Sequence, residues 1–450
     1  MYIIRPTYSP SPWSIWIALF LSTLLAINDS KFLGLSLPFI ALLSPLAISK
    51  KVMGLLPSEI YILFCFMFLF INLSNKNNWS FKQYKADLIL IGLMVLIYFS
   101  FFLSLEINVL FKSILSWVMI ITAFSLTRVT IIRAQDISLF LSIIIISAFY
   151  CSLISISSFI NGINLSDFID PYLNKKSTWD QNEYSYFLRA TFFYANIAYV
   201  VGPAVVISFI KILKHNKLIV KFIYSIVLLF LLLMLFLMNE KTGLGSIIAT
   251  LLIIFVYDKS YKGFRVRGRT VFPIVILFGT FLIYFYTSSI SNYSIGISSF
   301  YQRLCVFKST LAVLINNPIN LMFGFGPDSS NLLNNNLIQL AKSRCHGAIE
   351  GAIDSGYLTY LFEYGILFFI GFLSFIIIIL SKAYKLLKLS LPLREVLTQY
   401  VGILLYISIA ATTDVIGTSK VTWIIAQNFA IIGLVLSKYN KVGISAVLSG

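Results

Sequence analysis

The sequence predicts an all-α polytopic membrane protein with about 12 (12–13) transmembrane helices. Composition is the first reason. Of 450 residues, 59% are hydrophobic and 11% are charged. A soluble domain has roughly 45–50% apolar and about 25% charged residues. The mean hydropathy is +0.90. The second reason is that the apolar residues are gathered in runs. About 20 helical residues cross a hydrocarbon core about 30 Å thick. The composition excludes an ordinary globular protein, a disordered chain and a nucleic-acid-binding domain. Residues 1–450 read as a single integral membrane domain, whose first partner is the lipid bilayer.

The runs, in order, are 13–28, 32–48, 57–73, 87–105, 109–126, 137–160, 191–210, 220–238, 243–257, 271–288, 356–380, 397–411 and 421–437. Only Asn28, Asp29, Ser30 and Lys31 separate the first two. They form either two spans or one span with an irregular start. No cleavable signal peptide is expected, because the run from Trp13 lacks a polar flank with a small-residue cleavage site.

The net charge of +17 sits in the connections between runs. Lysine and arginine favour the cytoplasmic side of short loops. Lys211, Lys214, Lys217 and Lys221 form one basic connection, and Lys259, Lys262, Arg265, Arg267 and Arg269 a second. Lys382, Lys385, Lys388 and Arg394 form a third. Two spans separate each from the next, so all three fall on the cytoplasmic side. Lys438 and Lys441 place the C-terminus there too. Lys76, Lys82, Lys85, Arg128 and Arg133 follow the same parity, whereas Lys50 and Lys51 fall outside. If 13–48 is one span, the total is 12 and both termini are cytoplasmic.

Two longer loops, 161–190 and 289–355, then lie outside. Both carry mixed charge, and the second is the longest polar stretch of the chain. Long ordered loops carry sites more often than short connectors do. Cys305 and Cys345 share the second loop and can pair if it faces an oxidising compartment. Cys65 and Cys151 lie in apolar runs and read as small core residues.

Three stretches carry candidate chemistry. In 344–365, His346, Glu350 and Asp354 are spaced i, i+4, i+8 and share one face if the segment is helical. A carboxylate beside an apolar helix start can serve as a base. The bland alternative is a solvated face ahead of a span. Next, Pro318 ends an expected amphipathic helix over 300–316. The turn Phe323-Gly324-Phe325-Gly326-Pro327 follows it, with glycines that can expose backbone N–H groups to an anion or simply make the turn. Third, Arg189 opens a span, where it either snorkels or grips phosphate oxygens with its planar fork. Tyr301, Tyr357 and Tyr360 suit sugar faces and core packing equally. No P-loop, HExxH, GxSxG, CxxC pair or DxD is present, and the two histidines are His215 and His346. An ATP-driven pump and a histidine-rich metal site are not expected.

The order of these features resembles the O-antigen ligase and polymerase superfamily of bacterial inner-membrane proteins. A basic residue opens a span before Phe192-Phe193-Tyr194. Another span follows Asn239-Glu240-Lys241-Thr242-Gly243. A large loop then runs through Arg303, Asn317-Pro318 and the Phe323–Pro327 turn. It ends in Asp354-Ser355-Gly356-Tyr357-Leu358-Thr359-Tyr360, with Leu361-Phe362-Glu363-Tyr364-Gly365 after it. The resemblance covers roughly 185–380.

It implies a GT-C-like fold with a periplasmic site between the two loops and the membrane. It also implies substrates carried on undecaprenyl diphosphate. The ligase branch has His-Asn where this chain has Asp354-Ser355, which points to the polymerase branch. The implied function is O-antigen polymerase, a metal-independent glycosyltransferase of lipopolysaccharide biosynthesis without a cofactor. The expected catalytic base is Asp354, with Glu350 and His346 as alternatives. The expected substrate-binding set is Arg189, Arg303, Gly324, Gly326, Tyr357 and Glu363. Flippase and chain-length regulator proteins are the implied protein partners. The alternatives are an O-antigen ligase or, in another class, a lipid-linked oligosaccharide flippase.

Overall fold

The protein's structure is a computed structural model. It describes residues 30–43, 57–75, 92–98, 107–131, 134–160, 198–237, 241–261, 308–326, 356–387, 394–411 and 425–433, with residues 24, 100, 329, 435 and 436. They form thirteen helices and, among the described residues, no strand. In chain order these are α1 (Lys31–Leu43), α2 (Pro57–Asn75), α3 (92–98), α4 (Ile107–Thr130), α5 (Ala134–Ile160), α6 (Ala198–Lys214) and α7 (Leu218–Leu237). Then follow α8 (Lys241–Tyr261), α9 (308–315), α10 (Pro318–Phe323), α11 (Gly356–Leu387), α12 (Arg394–Ala410) and α13 (425–433).

The all-helical class agrees with the composition. The apolar runs from 32–48 to 243–257, and from 356–380 onward, coincide with described helices. The run 271–288, and all but one residue of 13–28, lie outside the described residues. Among the described residues, three helices are long and apolar enough to cross a membrane: Gln135–Leu153 within α5, Leu218–Leu235 within α7, and α11. Their outward faces are apolar. Leu218, Phe222 and Leu229 of α7 are 83%, 66% and 66% exposed, as suits a helix whose solvent on that side is lipid.

Two ion pairs order the ends of the bundle. Lys31 Nζ lies 3.9 Å from Asp136 Oδ1, in the first turn of α5. This sets Lys31 at the end of the bundle where α4 hands over to α5. Lys211 Nζ lies 3.4 Å from Glu395 Oε1, which joins the end of α6 to the start of α12. At the opposite end of α12, Ala411 O accepts the Gly356 N–H at 3.1 Å.

Helix α6 is the hub, packed against α5, α7, α8 and α12. Val201, Ala204, Val205, Val206, Ile207 and Ile210 are all fully buried. Glycines set its antiparallel crossing with α12. A Cβ on Gly202 would strike the Tyr406 ring, and one on Gly402 would meet Val206, Ile210 and Ile254. The pairs 202/406, 206/402 and 211/395 follow one register. Small residues are what allow such close approach in a bilayer, where burial of apolar surface between helices gains little. Gly202→Leu should therefore destabilise the detergent-extracted protein by about 3 kcal/mol, the upper range for overpacking. Thermal unfolding should show it, and Tyr406→Ala in the same chain should recover part of the loss. An unshifted transition in the single variant would contradict this register.

Hydroxyls within the helices turn back onto their own chain. Thr122, Thr127, Thr130, Ser152 and Thr250 each donate to the carbonyl four residues earlier, at 2.7–2.8 Å. This removes them from competition for partners in an apolar surround. Gln427 instead bonds across helices. Its Nε2 donates to Gly34 O at 2.8 Å and to Thr127 Oγ1 at 3.0 Å, tying α13 to α1 and α4. Cys65 and Cys151 are buried core thiols, as expected, while Cys305 and Cys345 lie outside the described residues.

Candidate functional site

The part of 289–355 that is described is not a polar loop. Residues 308–323 form two short helices, with the turn at Asn316 and Asn317 between them. Pro318 opens α10 at its first position, where a missing N–H costs nothing. Pro318 thus starts a second helix as well as ending the first. Leu314 is fully buried and packs with Leu358 and Phe362 of α11; Val313, Leu321 and Phe325 surround them. The amphipathic helix expected over 300–316 is thus met by α9 over its described part, with its apolar face against α11.

The two segments meet through backbone. Helix α10 ends at Gly324, with φ 83° and ψ 176°. Helix α11 is broken at Gly365, with φ 80° and ψ 176°. Such angles are essentially restricted to glycine. Each glycine sits on the other segment's backbone: a Cβ on Gly324 would strike Glu363, and a Cβ on Gly365 would strike Met322. The break deprives Phe362 O and Glu363 O of the N–H groups that a continuous helix would bring from residues 366 and 367. The turn supplies replacements. Phe325 N–H donates to Phe362 O at 2.9 Å and Gly326 N–H to Glu363 O at 3.1 Å. Phe325 and Phe362 stack with ring centroids 4.8 Å apart. Irregular backbone among apolar helices persists when it is satisfied in this way.

This clasp accounts for Gly324 and Gly326 structurally. The N–H groups of residues 324, 325 and 326 all donate to carbonyls, that of Gly324 to Asn320 O at 2.7 Å. Of the two readings of the glycine turn, the geometry supports the turn and gives an anion no N–H to bind. Glu363 is 6% exposed and lies in the break. An ionisable residue inside an apolar span is by default a functional candidate.

Tyr357 stands at the head of α11, and its hydroxyl donates to Ser408 O at 2.9 Å. With the Gly356 N–H on Ala411 O, this pins the start of α11 to the end of α12. Tyr360 belongs to packing: its ring contacts Tyr364, Phe368 and Phe372 at 5.5–6.1 Å. Arg189, Tyr301, Arg303, His346, Glu350 and Asp354 lie outside the described residues. Asp354 precedes the pinned Gly356 by two positions in sequence.

Beside the clasp, α3, α4, α11, α12 and α13 enclose a partly open cavity of about 120 Å³. Trp117 stands in its wall and donates its Nε1–H to the Tyr364 hydroxyl at 3.1 Å. The two rings meet edge to face at 5.8 Å. The sequence reading does not single out Trp117, and it names Phe362 and Gly365 within the resemblance without giving either a role. The available signal was Gly365, a glycine inside an apolar run, which marks a break or a close backbone approach. With the fold and this junction in view, the chain was compared with known proteins: no family model and no curated protein matches it.

Proposed function

We propose that the protein is an O-antigen polymerase of the bacterial inner membrane. In this reading it has 12 or 13 spans, a GT-C-like fold, a cytoplasmic C-terminus and a site on the periplasmic face. One observation supports it above the others. The turn Phe323–Gly326 and the segment Phe362–Gly365, far apart in sequence and both part of the superfamily resemblance, form one backbone-paired unit. The helix pair at 308–323 is thereby held against the head of α11, which Asp354 precedes in sequence.

The reaction would move a growing glycan from one undecaprenyl diphosphate to a second lipid-linked repeat unit. The bond between the anomeric carbon and the diphosphate oxygen breaks, and undecaprenyl diphosphate leaves. A glycosidic bond forms to the acceptor hydroxyl, whose proton passes to Asp354 acting as base. Glu350 and His346 are the alternatives for that role. Arg189 and Arg303 would grip the diphosphate and offset the charge that develops on it. The energy resides in the diphosphate linkage, so no nucleotide is used. Glu363 and Tyr357 would shape the membrane side of the acceptor site.

Deletion of the gene, followed by gel analysis of the lipopolysaccharide, tests the reading. A polymerase deletion leaves core carrying a single repeat unit. Bare core together with lipid-linked polymer would instead indicate the ligase. Loss of repeat units from the periplasmic face would indicate the flippase.

A further inference from the structure

The cavity beside the clasp has chemistry that the polymerase reading does not use. Its wall includes Tyr357 and Tyr360 before the break of α11 at Gly365, and Phe368, Phe372 and Ile376 after it. Its volume is about 120 Å³, a little under the ~150 Å³ apolar void that accommodates benzene. So small a volume bordered by residues of five helices is a narrow slot, too small for a sugar. Leu93, Trp117, Phe124, Phe372 and Phe429 line it, with Tyr360. Among the described residues the lining includes no charged side chain. Two of its polar groups are already engaged: Trp117 donates to Tyr364, and Tyr357 to the Ser408 carbonyl. Water finds few partners in such a space, and an unfilled slot would forfeit dispersion contacts along its walls.

We propose that this slot is a binding site for one acyl chain of a membrane phospholipid. The occupant is a hydrocarbon chain, because the walls are almost wholly carbon surface. No cation stands in the lining among the described residues, which argues against selection for a chain that carries a diphosphate. A site that recognises only a chain fills with the chain that its surroundings supply in greatest amount. Helix α11 is itself apolar and long enough to cross a bilayer, so those surroundings are phospholipid. Occupancy completes the wall behind Tyr357 and Tyr360 and so steadies the outer segment of α11 that the clasp holds. The inference does not depend on the polymerase reading.

The test uses the full chain in vesicles of phosphatidylethanolamine and phosphatidylglycerol doped with phosphatidylethanolamine bearing a mid-chain diazirine. A parallel set contains a diazirine-bearing polyprenyl phosphate. After irradiation, peptide mass spectrometry locates the adducts. The expected result is at least a tenfold enrichment of acyl adducts on Trp117, Phe372 and Phe429 over the outward-facing Phe222 and Phe70. Ala426→Phe, which fills the slot from α13, should reduce those adducts at least tenfold and leave labelling of Phe222 unchanged. Ile121→Trp fills the slot from α4 and serves if the first variant does not accumulate. Acyl labelling no higher in the slot than on Phe222 would overturn the proposal. So would slot labelling by the polyprenyl probe alone, or persistence of the adducts in both filled variants. Loss of polymer in the deletion strain bears on none of these outcomes, so the two readings fail separately.

Discussion

Asp354→Asn is expected to leave lipopolysaccharide with a single repeat unit while the protein accumulates normally in the membrane. A base that takes a proton in the transition state contributes about 10²–10⁴-fold in rate. Asparagine keeps the size and much of the hydrogen bonding of aspartate, but it cannot accept that proton. Asp354 stands two positions before Gly356, whose N–H is fixed on Ala411 O at 3.1 Å, and three before Tyr357, whose hydroxyl is fixed on Ser408 O at 2.9 Å. A rigid support two and three positions further along the chain suits a positioned base. Glu350→Gln and His346→Ala should be milder. Normal polymer from Asp354→Asn, with failure of Glu350→Gln, would move the base one helical turn earlier. Activity in all three would return the segment to a solvated helical face.

Gly365→Ala is expected to cost on the order of 4 kcal/mol, because two penalties combine. At φ 80° and ψ 176° the backbone is in a region that costs non-glycine residues about 1–3 kcal/mol. The new Cβ would also strike the Met322 carbonyl and the Phe323 nitrogen, which are backbone atoms and cannot rotate aside. Relief would require the turn to withdraw, and the bonds from Phe325 and Gly326 would be lost with it. The variant should unfold well below the wild type in detergent. Gly245→Ala in α8 is the control: nothing lies within 4 Å of its Cβ, and alanine favours a helix interior by about 1 kcal/mol. Equal transitions in the two variants would show that the clasp is not as tight as its geometry implies.

Much of the helical framework was legible because it rests on local quantities. An apolar run of the right length has one solution in lipid, a helix that satisfies its own backbone. The runs 109–126, 137–160 and 220–238 accordingly reappear as α4, α5 and α7. The turn at Gly324 and Gly326 was also legible, since paired glycines beside a proline announce an irregular backbone. What local reading could not give was the partner of Lys31, since the spacing of the runs carries no sign of Asp136 on α5. The expected amphipathic helix over 300–316 reappears as α9 over its described part, but the residues that cover it, Leu358 and Phe362, lie far away in sequence.

The sequence by itself determined the class of protein, the helices and the stretches in which chemistry could lie. Tertiary structure alone decided what the glycine turn is for and where α11 breaks. It assigned Tyr360 to packing, and it set the register of α6 on α12. Periodicity and composition are properties of neighbouring residues, so one strand of text displays them. The pairing of Phe325 with Phe362, or of Gly202 with Tyr406, depends on which surfaces fit when distant segments approach. That is settled by shape and by unsatisfied backbone groups, and neither exists until the chain has folded.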